Sequence, residues 1–261
     1  MKICYLSNSA MPSSVASSIQ IVKMCEAFSE LDNQVVLITT NLLKNKKNIF
    51  EYYNVKYKFI FKRVRMFKTF PLGFKYYLFS IFSIYESLKY KPEIYITRNF
   101  FTCFLLVLLR KKIIMELHHD LAIESRIVRF LVKNFKFLNS KYLEKIVAIT
   151  KGVKDEYVDK KIINENKILI LPSGSSIKKR FEFLINKKFF NIGYFGSLYK
   201  SRGLDLILKL AKIDSKNQYY IYGDFNKVNN LKLKNSIKNL HLKNYVPYKD
   251  VSKNLSKMDI L

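Results

Sequence analysis

Two stretches of this sequence carry residue types whose spacing could do chemistry. The first is MELHHD, Met115 to Asp120, which holds two of the three histidines in the chain, side by side. The apolar run before it reads as a strand. On a strand's pleat Glu116 and His118 share one face, while His119 and Asp120 begin the following loop. Zinc would need further His or Cys ligands close by, and the sequence supplies none, so no metal is assigned. Two readings stay open for His118. It positions a substrate or hydrogen-bonds developing charge at a strand's carboxyl end, or it is a satisfied histidine capping that strand.

The second stretch is NIGYFGSLYKSRGLDLILKLA, Asn191 to Ala211. A short apolar run ends at Gly196, a polar loop follows, and Gly203 closes it. Leu204, Ile207, Leu208 and Ala211 then recur at helical spacing. Strand, glycine turn and helix N-terminus in that order present free backbone N–H groups and a helix dipole to an anion. Lys200 and Arg202 add positive charge at the same mouth. The glycine spacing matches neither the Walker loop nor GxGxxG. A phosphate or diphosphate site and a plain strand-to-helix turn with two solvated cations are both consistent with it. No DxD pair is present to clamp a metal-bound diphosphate.

The elements around these stretches must position them. The chain has 261 residues, enough for one large domain or two modest ones, and its 49% hydrophobic content allows a packed core. Three scattered cysteines fit neither a metal set nor a disulfide framework, which points to a reducing, cytosolic setting. The N-terminal apolar run turns polar by Ser7, so no signal peptide is expected. The formal charge is +27, from 47 Lys and Arg against 20 Asp and Glu. Lysine dominates, beside abundant Asn, Ile, Phe and Tyr, as codon drift in an AT-rich genome would produce. The remaining charge favours anionic lipid or nucleotide phosphate. The basic residues are spread along the chain without a nucleic-acid reader's motif, so no specific nucleic acid is expected.

In chain order, Lys2 to Leu6 predicts a buried strand, followed by a Ser-rich loop through Pro12. Ser17 or Ser18 would cap a helix carrying Ile21, Met24, Cys25 and Phe28, and Gln34 to Thr39 predicts a second strand. That βαβ unit implies a parallel sheet with its ligand-binding loops at the carboxyl edge. Residues 44–68, rich in Lys and aromatics, read as a strand pair, a membrane-facing basic segment, or both. Phe70 to Leu88 predicts a buried helix rather than a span, since Lys75 and Glu86 interrupt it. Phe100 to Leu109 is too short to span. Strands are expected at Glu93–Thr97, Lys112–Leu117, Lys145–Ile149 and Lys167–Leu171. Between them, Ile127, Phe130, Leu131 and Phe135 would form one helix face, opposite Arg126, Arg129, Lys133 and Lys136. Such a helix either packs on the core or lies on an anionic membrane. LPSGSSIKK reads as a linker. After it come a strand at 191–195, a helix at 204–213, a strand at 218–222 and a Lys/Asn-rich helix. The last elements are a strand near Asn244 to Val246, a helix around Asp250 to Ser256 and a strand opening at Met258. About 80 residues after the linker, ending in an apolar strand, suggest an incomplete second domain.

The order of these motifs resembles glycosyltransferase family 4, retaining enzymes of the GT-B fold. MKICYLSNS is similar to the family's opening strand and loop, and ELHHD to its Glu-x-His-Asp segment. VAITKGVKDEY is similar to a strand and helix late in its first domain, and ILPSGSSIKKRF to its interdomain crossing. IGYFGSLYKSRGLDLIL resembles the turn that holds the donor diphosphate, and IYGDF and YVPYKDVSKNLSKMDIL the next donor-domain strands. The resemblance covers essentially the whole chain. It implies an α/β fold of two Rossmann-like domains with parallel sheets facing across a cleft. These are an acceptor-side domain at 1–172, a linker at 173–188 and a partial nucleotide-sugar-binding domain at 189–261.

What it implies for the site is His118 as the catalytic residue, and Gly196, Ser197, Lys200, Arg202 and Gly203 as the diphosphate grip. Ser7, Ser17 and Ser18 would line the acceptor side. The partners implied are a nucleotide-sugar donor, a saccharide or lipid-linked acceptor and an anionic membrane surface, with no cofactor or metal. The setting implied is cytoplasmic, peripheral at the inner membrane face, in surface polysaccharide or glycolipid assembly. The pattern departs at VASS (Val15 to Ser18), where the family has a glycine pair, and at Ser176, near its aspartate. Arg202 stands for its lysine and Ser197 for an arginine. The sequence ends before the place of the family's glutamate-containing donor motif. The alternatives are an inactive truncated remnant, or a basic membrane- or nucleic-acid-binding protein.

Overall fold

Lys2–Ala10 (β1) is buried from Ile3 to Ser7 and Gln34–Thr40 (β2) from Val35 to Thr40, as strands covered on both faces of a sheet must be. They pair in parallel, Ile3 against Val35 through Ser7 against Thr39. In the computed structural model, which describes residues 1–41, 47–66, 71–174, 188–198, 202–225 and 237–261, five more strands extend this sheet. They are Ile60–Val64 (β3), Ile94–Thr97 (β4), Ile113–Leu117 (β5), Leu143–Ala148 (β6) and Ile168–Ile170 (β7). The order is β3-β2-β1-β4-β5-β6-β7, and every pairing is parallel. Strand order reverses direction between β1 and β4, and the carboxyl ends beside that switch are where such sheets receive ligands.

Helices Ala16–Glu30 (α1) and Ile49–Tyr52 (α2) cover one face, where Tyr5, Ile21, Cys25, Leu37 and Tyr53 form a core. The other face carries Leu72–Ser87 (α3), Phe100–Leu108 (α4), Arg126–Phe135 (α5) and Lys151–Asp159 (α6), packed through Phe79, Cys103, Val128 and Tyr157 among others. Side-chain caps start three of these. Asn99, Ser125 and Thr150 accept from the N–H groups of Thr102, Val128 and Val153. The chain divides into two units, Met1–Ser175 and Ser176–Leu261. In the second, Asn191–Phe195 (β8), Gln218–Tyr222 (β9) and Leu240–Lys243 (β10) form a parallel sheet in the order β10-β9-β8. Leu204–Ile213 (α7) packs on it through Leu204 and Leu208, and Tyr248–Leu255 (α8) follows β10. Ile260 bridges in parallel to Ile192, on the free side of β8.

Several expectations need correction. β1 runs to Ala10, so the first loop is shorter than the serine content suggests. Val15, not Ser17 or Ser18, occupies the N-cap of α1 and provides no side-chain bond. The strand placed near Asn244–Val246 lies earlier, because Leu240 and Leu242 fill the core beside β9. The helix over 72–87 is not buried throughout. Phe74, Ile81 and Tyr85 are exposed along its outer side. In α5 the buried side chains are Val128 and Val132, while Ile127, Phe130 and Phe135 are exposed. The face that packs is therefore displaced by about one residue, roughly 100° around the helix. The linker expected at 173–188 lies, apart from its end residues, outside the described residues, as does most of the Lys/Asn-rich helix.

Candidate functional site

The parallel register sets the first constellation. Thr97 of β4 is opposite Met115 of β5, so Arg98 and Glu116, one residue further on, come level at the carboxyl edge. The Arg98 Nε–H donates to Glu116 Oε2 at 2.8 Å and to the Tyr5 hydroxyl at 3.0 Å. His118 Nε2 lies 3.2 Å from the same carboxylate oxygen. Glu116 is 5% exposed. Burial alone would raise its pKa, but the hydrogen bond to His118 and the Arg98 guanidinium outweigh it and hold the carboxyl below its ordinary value. An ionised Glu116 only accepts, so His118 Nε2 carries the proton, and Nδ1 has no hydrogen-bond partner among the described residues. The imidazole side chain is 20% exposed. Burial raises the Tyr5 hydroxyl well above its normal range, so it stays a neutral donor and acceptor. Arg98 Nη2 is buried with no hydrogen-bond partner among the described residues.

The pleat argument thus brings Glu116 and His118 together as the sequence suggests, and it separates His119. That ring bonds Glu124 Oε1 at 2.9 Å, while its carbonyl accepts from the Tyr157 hydroxyl at 3.1 Å. The Glu124 bond raises the His119 pKa against the opposing effect of burial. Asp120 faces Lys160 at 3.6 Å. Among the described residues, no three of His, Cys, Asp and Glu are grouped as a metal would require. Arg98 was missed. Its one sequence signal is a lone Arg directly behind the apolar IYIT, which gains meaning only once β4 and β5 are known to be neighbours.

The serines of the first loop are largely inward. Ser7 is buried in β1 and its hydroxyl accepts from the Ser9 N–H. Ser18 is buried and accepts from the Ser13 hydroxyl at 2.8 Å. Ser17 is half-buried. The cavity at this edge lies elsewhere. It has a volume of about 390 Å³, and its walls include Asn8 beyond the core of β1, Thr40 at the end of β2, Tyr76 and Tyr77 of α3, and Glu124 and Ser125. Thr40 Oγ1 is buried without a hydrogen-bond partner among the described residues.

In the second unit, the turn after β8 differs from the expectation in one respect. The Gly196 N–H donates to the Tyr222 carbonyl at 3.2 Å, so it continues the sheet and is not free for an anion. A parallel register of Phe195 with Tyr222 makes that bond, and it could not be read without knowing the neighbour of β8. Tyr194 folds over the turn and its hydroxyl donates to the Ser197 carbonyl at 2.7 Å. Ser197 is exposed, as is Arg202. Lys200 lies outside the described residues. Gly203 is the N-cap of α7 at φ 77°, a left-handed conformation that suits glycine, and its carbonyl accepts from Leu206 and Ile207. The N–H groups of Leu204 and Asp205, in the first turn, have no intrahelical acceptor.

No family model matches the chain, and no curated protein does. Solved structures do share its fold. HepE from Anabaena, in complex with UDP-glucose, superimposes with a TM-score of 0.65 at 12% identity, over 99% of this chain and 72% of that one. The lipopolysaccharide outer core galactosyltransferase WaaB, in its apo form, gives 0.63 at 18%, over 99% and 72%. A UDP-GlcNAc 2-epimerase from Neisseria meningitidis, bound to UDP-GlcNAc, gives 0.57 at 12%, over 99% and 76%. The two parallel-sheet units therefore have the fold of these solved structures, as the order of sequence motifs implies.

Proposed function

We propose that the chain is a glycosyltransferase that moves a sugar from a nucleotide-sugar donor to an acceptor hydroxyl in surface polysaccharide or glycolipid assembly. The observation that carries this is the Arg98–Glu116–His118 chain at the carboxyl edge of a doubly wound sheet. It occupies one imidazole nitrogen internally and leaves the other without a hydrogen-bond partner among the described residues, in a fold shared with a protein solved in complex with UDP-glucose. In the reaction the acceptor oxygen bonds to the anomeric carbon as the bond from that carbon to the diphosphate breaks. The bonding pair leaves with the nucleoside diphosphate, whose freed phosphate oxygen takes up the proton of the acceptor hydroxyl. Charge therefore grows on the leaving group. Arg202, the N–H groups opening α7 and the Ser197 hydroxyl would stabilise it, with Lys200 in the same role and Gly196 contributing shape rather than a donor. His118 Nδ1 would hydrogen-bond a sugar hydroxyl at the carboxyl edge of the first sheet. The 390 Å³ cavity, with its tyrosine rings and the Glu124 carboxylate, suits an acceptor saccharide.

Calorimetric titration of the full chain with UDP and GDP tests the donor side. Arg202→Ala should weaken the better ligand by about tenfold, the worth of one charge-assisted hydrogen bond. Unchanged affinity would remove Arg202 from the site. The epimerase fold match supports a second reading, in which the donor alone is converted. Chromatography of UDP-GlcNAc incubated with the chain and no acceptor separates the two, since only an epimerase forms a new sugar nucleotide.

A further inference from the structure

The face of the first sheet that packs under α3 turns polar at its carboxyl edge. On β1, Cys4 and Leu6 belong to that core and Asn8 is the next residue of the same parity. On β2, Val36 and Ile38 are followed in the same way by Thr40. Asn8 and Thr40 both line the cavity of about 390 Å³. Thr40 is 2% exposed, and its Oγ1 has no hydrogen-bond partner among the described residues. A valine would fill the same space without that cost, so a buried hydroxyl at a cavity wall calls for a partner that the fold itself does not supply. α3 begins at the same cavity. Its N-cap, Pro71, provides no side-chain bond, and the first-turn N–H of Gly73, a lining residue, has no intrahelical acceptor. The positive end of a 16-residue helix therefore lies at this wall, and the half-buried Lys75 adds a formal charge to it. The rest of the wall suits a ring bearing hydroxyls. Tyr76, Tyr77 and Phe79 supply aromatic surface, and the Glu124 carboxylate has acceptor capacity beyond its 2.9 Å bond to His119. That bond draws a proton onto His119, which lessens the repulsion between Glu124 and an anionic guest.

We infer that this cavity takes an acidic sugar, with its ring among the aromatic side chains and its carboxylate or phosphate group at Thr40, Lys75 and the N-terminus of α3. As the acceptor subsite it rests on the sugar-transfer reading, whereas the binding of such a sugar does not. A neutral sugar would gain nothing from the helix end. A nucleoside diphosphate would bring more negative charge toward Glu124 than a single anionic substituent does. The volume also exceeds what a bare phosphate fills and lies in the range of pockets for small organic ligands.

Calorimetric titration of the full chain without donor tests it, using methyl glucuronide, methyl glucoside, glucose 6-phosphate and inorganic phosphate. An acidic sugar should bind at least about tenfold more tightly than methyl glucoside, the worth of one charge-assisted hydrogen bond, and which of the two does so tells carboxylate from phosphate. Equal affinity for neutral and acidic sugars, no binding of either, or inorganic phosphate binding as tightly as the sugars would overturn the inference. Thr40→Val, which removes only the hydroxyl, should lower acidic-sugar affinity about fivefold while the melting temperature holds or rises. A fall in melting temperature would mean that the hydroxyl serves the fold, and an unchanged affinity that it does not meet the ligand; either result counts against the site. Lys75→Gln supplies a variant independent of Thr40 and should abolish the preference for the acidic over the neutral sugar, so a preference that persists would refute the assignment. UDP affinity should be the same in both variants, and a parallel loss would make the cavity a donor site instead. Transfer assays keep the two readings apart. Transfer to methyl glucoside as readily as to the acidic sugars would sink this inference and leave sugar transfer standing. Acidic-sugar binding lost in Thr40→Val, with no transfer from any donor, would support the site and remove the transfer reading.

Discussion

Replacing Arg98 by methionine removes one guanidinium from a place where its partner cannot turn to water. Glu116 is 5% exposed, and the side chains of the pair are 18% and 6% exposed, so the value of under ~1 kcal/mol typical of surface bridges does not apply. Breaking a buried pair from one side typically costs about 3–5 kcal/mol, because the remaining charge stays buried. Here two features lower that figure. His118 still contacts the carboxylate, and the unpartnered Arg98 Nη2, itself costing about 1–3 kcal/mol, disappears with the side chain. The net expectation is a loss of about 2–3 kcal/mol. Glu116→Leu added to Arg98→Met should recover most of it, since no charge then remains to be solvated. The pH dependence gives a sharper sign. The depressed Glu116 pKa contributes stability that is present above the carboxyl's unfolded-state pKa and lost as pH falls through the folded one. Without Arg98 the folded pKa moves up, so the variant's deficit relative to the parent should be largest near neutrality and shrink on acidification. Urea unfolding of parent, single and double variants, followed by circular dichroism from neutral pH into the carboxylate range, measures each quantity. A deficit independent of pH, or a double variant no more stable than Arg98→Met, would refute the reasoning.

Two further perturbations follow from the same geometry. His119 has its pKa raised by Glu124, so the pair contributes stability that is full below about pH 6.5 and is lost as pH rises through the folded value. Glu124→Gln should flatten the unfolding free energy across that window, by less than about 1 kcal/mol because the ring is partly exposed, and an unchanged slope would discount the pair. Gly223→Ala would place a Cβ 2.6 Å from Leu198 Cγ and 2.9 Å from the Gly196 carbonyl oxygen, a backbone atom. It should destabilise the second unit by about 1–3 kcal/mol, with the thermal transition as readout, and a variant that melts with the parent would show that the β8 and β9 ends are not so close.

What the sequence reveals and conceals follows the range of the forces concerned. Strands such as QVVLITT and IYIT are legible because a sheet covered on both faces needs unbroken apolar runs, a local property. The Glu116–His118 pairing is legible because it follows from the pleat of one strand. Arg98 is not, since its meaning comes from β4 lying beside β5, 18 residues away. The Gly196 N–H is lost to the proposed anion site for the same reason, through its bond to Tyr222. The phase of α5 is not legible because, of the apolar face Ile127, Phe130, Leu131 and Phe135, only Leu131 lies against the core and the other three are exposed. Val128 and Val132 fill the core instead, and hydrophobicity does not tell a face against the sheet from one against another apolar medium.

The central claim is that His118 takes part in sugar transfer rather than merely capping β5. The direct measurement is transfer of labelled sugar from a panel of nucleotide sugars to lipid-linked and free saccharide acceptors, by the parent chain and by His118→Ala. Transfer by the parent, with kcat in the variant reduced by about 10²-fold or more and nucleoside diphosphate affinity little changed, is the predicted result. Equal turnover by the two proteins, or no transfer by the parent from any donor it binds, would contradict it.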